Sequence, residues 1–212
     1  VAGTGKAYIL LDDNGQNSIL IYGGANQTIT VEDIRNASET IKSADCLITE
    51  FETPLEASTE AFKIAKENNV LTILNPAPAK QNIPEELLKL TDIIVPNETE
   101  AQAITGIEVV DEPSMAQAAK KMHAMGVKNV IITVGANGSF YSQSEKSGFV
   151  NAYKVNTVDT TAAGDTFIGY LASKLDPDLS NIEEAMKFAS KASSITVQTQ
   201  GAQNSIPYVK IG

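Results

Sequence analysis

Small residues and an acid meet at the predicted start of a helix in the sequence DTTAAGDTF, residues 159–167. Small side chains let a phosphate approach the backbone, while the unpaired N–H groups and the dipole of a helix start favour an anion. Asp165 falls in the first turn, where a carboxylate can accept a proton from a hydroxyl that attacks a phosphoryl group. The alternative is an ordinary acidic first turn after a loop of small residues.

Two further polar segments directly follow predicted strands. Asn97-Glu-Thr-Glu100 comes after an apolar run at 93–95, and strand ends of this kind bind ligands in open α/β sheets. Asn97 also fits a helix N-cap with Glu100 as its capping-box partner, and both roles can hold together. The segment Thr133-Val-Gly-Ala-Asn-Gly138 follows the next strand, where its glycines admit a ligand or simply turn a hairpin. No G-K-[ST] follows, so no phosphate-binding lysine of the P-loop type is expected.

Composition limits the remaining chemistry. The net charge of −10 argues against a nucleic-acid partner, and no apolar run approaches the roughly 20 residues of a membrane helix. A single cysteine and a single histidine argue against zinc frameworks and against a Cys-His or Ser-His nucleophile. We expect Cys46 to be a reduced core residue of an intracellular protein, and His123 to face solvent.

The periodicity predicts a β-hairpin followed by alternating helices and strands. Residues 7–11 and 18–22 are β-rich and flank a turn signal at 12–15. From residue 30 short apolar strands at 70–74, 93–95 and 130–134 alternate with helices, then 139–143 and 149–155 are expected to pair antiparallel. Thr53 is expected to cap a helix with Pro54 at its first position, Pro113 to start another, and the last helix to run from about 182 to 196. The alternation indicates an α/β fold with a mainly parallel, helix-covered sheet.

The sequence DTTAAGDTF resembles the C-terminal signature of the ribokinase (PfkB) family of carbohydrate kinases. Three more segments resemble family motifs in the same order and spacing: Asn75-Pro-Ala-Pro-Ala79, Pro96-Asn-Glu-Thr-Glu-Ala101 and Gly201-Ala-Gln-Asn-Ser-Ile-Pro207. The resemblance runs from about Gly5 to Pro207 and implies a ribokinase-like three-layer α/β/α fold. It implies a partial β lid hairpin at 1–29 and a nucleotide-binding core at 30–212 that is incomplete at its N-terminus. The earlier first strand and the Gly-Gly sugar-binding motif of the family have no counterpart, so we expect residues 1–212 alone to be a poor catalyst.

The resemblance implies transfer of a phosphoryl group from ATP to the 5-hydroxyl of D-ribose, with Asp165 as general base. Another kinase of the family, such as a deoxyribokinase, a fructokinase or a nucleoside kinase, is the alternative, as is a nucleotide-binding fragment without turnover. A dinucleotide-dependent oxidoreductase is disfavoured because no G-x-G-x-x-G follows an early strand. The resemblance also implies a cytoplasmic protein that forms a homodimer through the β lid and contacts neither nucleic acid nor membrane.

The implied site residues fall into five groups. Those of the phosphoryl-binding turn are Ala162, Ala163, Gly164 and Asp165. Those near ATP are Asn97, Thr133, Gly135, Gly138, Gly164 and Ser190, while Glu52 and Asp165 face the sugar. Glu100 helps to hold Mg2+, largely through water. Those that match an activating K+ site, much of it built from backbone carbonyls, are Asp159, Thr161, Thr196, Thr199, Gly201 and Ser205.

Two positions depart from the family pattern. Ser190 stands where an asparagine often lies near adenine, and Tyr170 stands where the signature has a small residue. The first departure puts one contact to the base in doubt. The second lies one helical turn past the active loop and is expected to alter packing more than chemistry.

Overall fold

The computed structural model describes residues 2–11 and 17–208. Within these ranges β1 (Lys6–Leu11) and β2 (Asn17–Tyr22) pair antiparallel, with Tyr8 opposite Leu20, and form a sheet of their own. This confirms the predicted hairpin, whose turn at 12–15 lies outside the described residues. The other elements, in chain order, are a 3-10 helix (Gly24–Thr28), α1 (Val31–Asn36), α2 (Ser38–Lys42), β3 (Cys46–Thr49), α3 (Leu55–Glu67), β4 (Leu71–Leu74), α4 (Glu85–Lys89), β5 (Ile93–Ile94), α5 (Glu98–Thr105), α6 (Glu112–Ala124), β6 (Asn129–Thr133), a 3-10 turn (Gly135–Asn137), β7 (Gly138–Ser142), β8 (Ser147–Asn151), α7 (Ala163–Lys174), α8 (Ile182–Thr196) and a 3-10 turn (Gln203–Ser205).

The second sheet has six strands in the order β3-β4-β5-β6-β7-β8. Strands β3 to β6 are parallel, and β7 runs antiparallel to both of its neighbours, with Ile132 opposite Phe140. The parallel strands are short and apolar because helices cover both of their faces. The mainly parallel sheet predicted from the sequence is confirmed.

Alternate residues of each strand feed two separate cores. Leu74 and Ile132 pack with α3 to α6 on one face, whereas Ile73 and Ile131 pack with α7 and α8 on the other. This division follows from the strand geometry, in which successive side chains point to opposite faces. A third cluster joins α2 to α3 through Ile41 and Ala61. The result is the expected three-layer α/β/α arrangement.

Several element ends differ from the prediction. Helix α3 begins at Leu55 with Pro54 as its N-cap, and Thr53 instead contacts the Ser58 hydroxyl at 3.1 Å, so the predicted Thr53 cap is wrong. Helix α6 begins at Glu112 and is capped by Asp111, one residue earlier than Pro113 suggested, because the Asp111 carboxylate accepts the Ser114 amide. Strand β8 ends at Asn151 rather than at 155.

Two single residues also differ from expectation. His123 is not simply solvated, because its ring nitrogens lie 2.9 Å from the Val127 carbonyl and 2.9 Å from the Ser142 hydroxyl. Cys46 is half-buried rather than a core residue, because β3 is the last strand of the six-stranded sheet in the described part of the chain. Burial, and then the charge of Asp45, raises the pKa of the Cys46 thiol. None of the helices in residues 2–11 and 17–208 has both the length and the apolar character needed to cross a bilayer.

Candidate active site

The loops that follow the parallel strands meet at one edge of the sheet. The Asn75 amide donates to the Thr49 carbonyl at 2.9 Å, and the Phe51 amide donates to the Ala77 carbonyl at 2.7 Å, so the loops after β3 and β4 are fastened together. Asn97 and Thr133 form a parallel bridge beyond β5 and β6. Because all four strands end on this side, the predicted residues after each strand become neighbours.

Helix α7 presents its N-terminal turn as an open backbone surface. Ala162 adopts a left-handed conformation with φ of 60°, and the helix begins at Ala163. The Ala163 amide donates to the Thr160 carbonyl at 3.2 Å, while the amides of Gly164 and Asp165 have no acceptor among the described residues. A Cβ built on Gly164 would meet no atom within 4 Å. Two free amides, the positive end of the helix dipole and an exposed Asp165 carboxylate therefore share one turn.

Helix α8 holds this turn in place from behind. The Ser193 hydroxyl donates to the Ala163 carbonyl at 2.9 Å. One turn further along, the hydroxyls of Thr166 and Thr196 lie 3.1 Å apart in the buried contact between the two helices. These bonds fix the direction in which the free amides point.

Asp159 joins the segments on either side of α7 and α8. Its carboxylate accepts the Thr161 amide at 2.9 Å and the Gly201 amide at 2.9 Å. The hydrogen bond from the Gly201 amide is the largest cause of a pKa of Asp159 below its usual value, and the hydrogen bonds from Thr161 add to it. The Val158 and Asp159 amides both donate to the Val197 carbonyl, at 2.8 and 3.2 Å. The structure thus brings the 159–161 segment against the 196–205 segment, in which Thr196 and Ser205 are buried and Thr199 is exposed.

Asn97 and Glu100 form the capping box that spacing suggested. The Asn97 side chain accepts the Glu100 amide at 2.8 Å, and Glu100 accepts the Asn97 amide at 2.9 Å and its side-chain amide at 3.0 Å. Glu100 is only 7% exposed, and burial raises its pKa although the hydrogen bond from the Asn97 amide opposes the shift. Each carboxylate oxygen accepts one of these bonds and keeps lone-pair capacity.

Residues 133–138, at the end of β6 and after it, leave room for a ligand close to the backbone. The Thr133 hydroxyl lies 3.4 Å from the Pro96 carbonyl, which ties it to the neighbouring loop. Gly135 has φ of 50° and no atom within 4 Å of an added Cβ, so it leaves open space. Gly138 has φ of 132°, and an added Cβ would lie 2.1 Å from the Val150 carbonyl. The second glycine is therefore required by β8 itself. Ser190 is buried on α8.

Sequence reasoning missed two charged residues, Glu50, which interacts electrostatically with Asp165, and Lys80, which interacts with Glu50. Glu50 is half-buried, and burial raises the pKa of its carboxyl. The hydrogen bond from the Glu52 amide and the charge of Lys80 lower that pKa, whereas the charges of Glu52 and Asp165 raise it. Lys80 donates to the Phe51 carbonyl at 3.0 Å. The available signals were the position of Lys80 directly after the Asn75–Ala79 motif and that of Glu50 two residues before Glu52. The backbone carbonyl of the exposed Glu52 accepts a hydrogen bond from the side-chain amide of Gln27.

In the part of the chain that the structure describes, acidic and histidine side chains do not gather into a preformed metal centre. Across residues 2–11 and 17–208, no three side chains of the types His, Cys, Asp or Glu are close enough together to hold an ion. A metal at this edge of the sheet would depend on single carboxylates, backbone carbonyls and oxygens of a bound ligand.

Comparison with known proteins identifies the family of the chain. Residues 2–208 match the pfkB family carbohydrate kinase, and the chain belongs to that family. It is 58% identical over 204 residues to a bifunctional ribokinase/ribose-5-phosphate isomerase A of Fructilactobacillus sanfranciscensis, covering 96% of this chain and 38% of that protein. It is 50% identical over 209 residues to a ribokinase of Staphylococcus aureus, covering 99% of this chain and 68% of that protein.

A solved ribokinase structure has the same fold. The structure of Arabidopsis thaliana ribokinase complexed with ribose and ATP superposes with a TM-score of 0.87 at 34% identity, covering 97% of this chain and 67% of that chain. This confirms the ribokinase-like fold and the family resemblance read from the motifs. The chain spans about two thirds of the length of the Staphylococcus aureus ribokinase and of the solved Arabidopsis chain, and 38% of the length of the bifunctional protein.

Proposed function

We propose that the protein to which these residues belong transfers the terminal phosphoryl group of ATP to the 5-hydroxyl of D-ribose. The observation that carries the proposal is the first turn of α7, where an exposed Asp165 carboxylate stands beside two unpaired amides at the ligand-binding edge of the sheet. The ribose and ATP bound to the Arabidopsis relative support the same pair of substrates.

In this reaction Asp165 takes the proton of the sugar hydroxyl as the hydroxyl oxygen attacks the terminal phosphorus. The bond from that phosphorus to the bridging oxygen breaks, and ADP leaves with the bonding electrons. The amides of Gly164 and Asp165 and the helix dipole stabilise the charge on the transferring group, which is the main contribution that a protein makes to phosphoryl transfer. The Ala163 carbonyl is held by Ser193, so the turn needs no rearrangement to receive that charge.

The nucleotide lies across the ends of β5 and β6 in this proposal. Asn97 and Thr133 are bridged there and face its phosphates and ribose. Gly135 leaves its Cβ position open, which allows the close approach of a ligand to the backbone. Gly138 shapes the same loop from the β8 side, and the buried Ser190 borders the adenine end.

Mg2+ and K+ fit donors that are present. Glu100 offers hard carboxylate oxygens with spare lone pairs, which suits Mg2+ bound through water, and this ion would neutralise charge on the phosphates. The segments joined by Asp159 offer carbonyl and hydroxyl oxygens to K+ beside the α7 turn. The residues proposed to surround K+ are Asp159, Thr161, Thr196, Thr199, Gly201 and Ser205.

The acceptor sugar is contacted by Glu52 in this proposal, and Glu50 and Lys80 fix the loop that carries Glu52. Another sugar or nucleoside kinase of the family remains the alternative. We further propose a cytoplasmic homodimer that associates through the β1–β2 hairpin, whose Tyr8, Leu20 and Tyr22 share one face and are all exposed.

The test is an assay of the full-length natural protein with ATP, Mg2+ and K+, in which ADP release is measured with D-ribose, 2-deoxyribose, fructose and adenosine. We expect the highest kcat/KM with ribose, and a product that NMR identifies as the 5-phosphate. A folded protein that binds ATP and releases no more ADP with ribose than without it would overturn the proposal.

A further inference from the structure

Segment 197–207 is fastened to the rest of the protein at three places. At its start the Val197 carbonyl accepts the amides of Val158 and Asp159. At its middle the Gly201 amide donates to Asp159 at 2.9 Å. Between Gly201 and Pro207 the bonds that the structure describes are internal, such as the Ser205 amide and hydroxyl to the Ala202 carbonyl at 3.0 and 2.6 Å. Beyond Gly201, the hydrogen bond that ties the described part of the segment to another element is the one at Pro207.

Tyr170 supplies that contact. Its hydroxyl donates to the Pro207 carbonyl, and its ring packs against Phe188 of α8 with centroids 5.4 Å apart. Tyr170 belongs to α7, the helix whose first turn carries Asp165. The sequence predicted that a large residue here would affect packing, but the structure adds a polar bond to the segment that ends at Pro207.

We propose that Tyr170 is a positioning residue for the monovalent cation site. By holding Pro207, its hydroxyl limits the freedom of the segment that carries Gly201 and Ser205, two of the residues proposed above to surround the ion. This inference rests on the K+ site proposed above and adds a residue that touches neither the ion nor the substrates. It also ties the ion to the helix that carries the general base.

The size of the effect follows from the strength of one neutral hydrogen bond. Ligation by backbone carbonyls is weakened when a loop that presents them gains freedom, because binding the ion must then restore the order. Losing one such bond changes an equilibrium by roughly threefold to tenfold. K+ affinity should fall by that factor, while the rate at saturating K+ should stay nearly constant because the ordered loop is the same.

Tyr170→Phe tests this without changing the ring. The matched control is Tyr141→Phe, in β7. This substitution also removes a partly buried hydroxyl, which donates to Glu183 at 3.3 Å. In the full-length protein we expect Tyr170→Phe to raise the K+ concentration for half-maximal activity roughly fivefold, with kcat at saturating K+ within twofold of wild type. We expect Tyr141→Phe to leave the K+ constant unchanged.

Two readouts without catalysis accompany the assay. The rise in melting temperature on replacing tetramethylammonium with K+ should require about fivefold more K+ in Tyr170→Phe, and the Gly201 amide should exchange its hydrogen faster in that variant. A K+ constant equal to wild type in Tyr170→Phe, or the same shift in Tyr141→Phe, would overturn the assignment of Tyr170. A wild-type protein with equal rates in K+, Na+ and tetramethylammonium would overturn both the cation site and the role of Tyr170, while leaving the kinase assignment standing.

Discussion

The carboxylate of Asp159 accepts the backbone amide of Gly201, 42 residues further along the chain, at 2.9 Å. Together with the bonds from the Val158 and Asp159 amides to the Val197 carbonyl, this bond closes the loop before α7 onto the loop after α8. Both helices are thereby held as a pair, and the open turn at Gly164 and Asp165 keeps a fixed relation to both segments. The candidate active site is therefore organised by the contact between two loops as much as by the sheet beneath it.

Gly164→Ala should lower activity with ATP without lowering the stability of the fold. An added Cβ meets no protein atom within 4 Å, and alanine favours a helix, so the free energy of unfolding should stay level or rise by up to about 1 kcal/mol. The same methyl group should obstruct a phosphate against the backbone and lower kcat/KM for ATP at least tenfold. Gly169→Ala is the matched control, since it lies on the same helix and also meets nothing within 4 Å. Equal kcat/KM values in the two variants would remove Gly164 from the proposed phosphate site.

Leu20→Glu should weaken the proposed dimer. Leu20 is 66% exposed on the face of the hairpin that also carries Tyr8 and Tyr22, and moving a charge at this position out of water costs free energy. We expect sedimentation of the full-length protein to show at least a tenfold weaker dimer. Val110→Glu, at a residue 72% exposed before α6, is the control and should leave the mass unchanged. If the Leu20→Glu dimer dissociates at the same protein concentration as the wild-type dimer, the interface lies elsewhere.

Asp92 should make stability depend on pH. It is 7% exposed and accepts Lys66 at 2.6 and 2.8 Å, and also the amide and hydroxyl of Thr72. Burial alone would raise its pKa, but the hydrogen bonds from Lys66 and Thr72 outweigh burial and lower the pKa below the ordinary 3.8. A carboxyl whose pKa is lowered by folding stabilises the protein at pH values above its ordinary pKa. This stabilisation is lost as the pH falls through the folded-state pKa.

Urea unfolding should therefore show Asp92→Asn about 1–3 kcal/mol less stable than wild type at pH 7, with the gap narrowing below pH 4. Asp45→Asn, an exposed acid beside β3, is the control and should change stability by less than about 0.5 kcal/mol. A gap that stays constant from pH 7 to pH 3 would contradict the assigned pKa shift.

The sequence predicted what depends on local pattern. The last helix was predicted to run from about 182 to 196, which matches α8, and the Asn97–Glu100 spacing predicted a capping box that the structure contains. Contacts between distant segments left no such pattern. The bond from Tyr170 to Pro207 and the two partners of His123 arise only when separate elements pack together. Cys46 was misjudged for a related reason, because an apolar run does not reveal which strand forms the edge of a sheet.

The central claim is that Asp165 is the general base, and single-turnover kinetics of Asp165→Asn in the full-length protein test it most directly. Asp176→Asn, an exposed acid just beyond the other end of the same helix, is the matched control. We expect Asp165→Asn to fold, to bind ATP within threefold of wild type and to phosphorylate ribose roughly 10²–10⁴-fold more slowly, while Asp176→Asn keeps the wild-type rate. Ribose phosphorylation by Asp165→Asn within threefold of wild type would contradict the account.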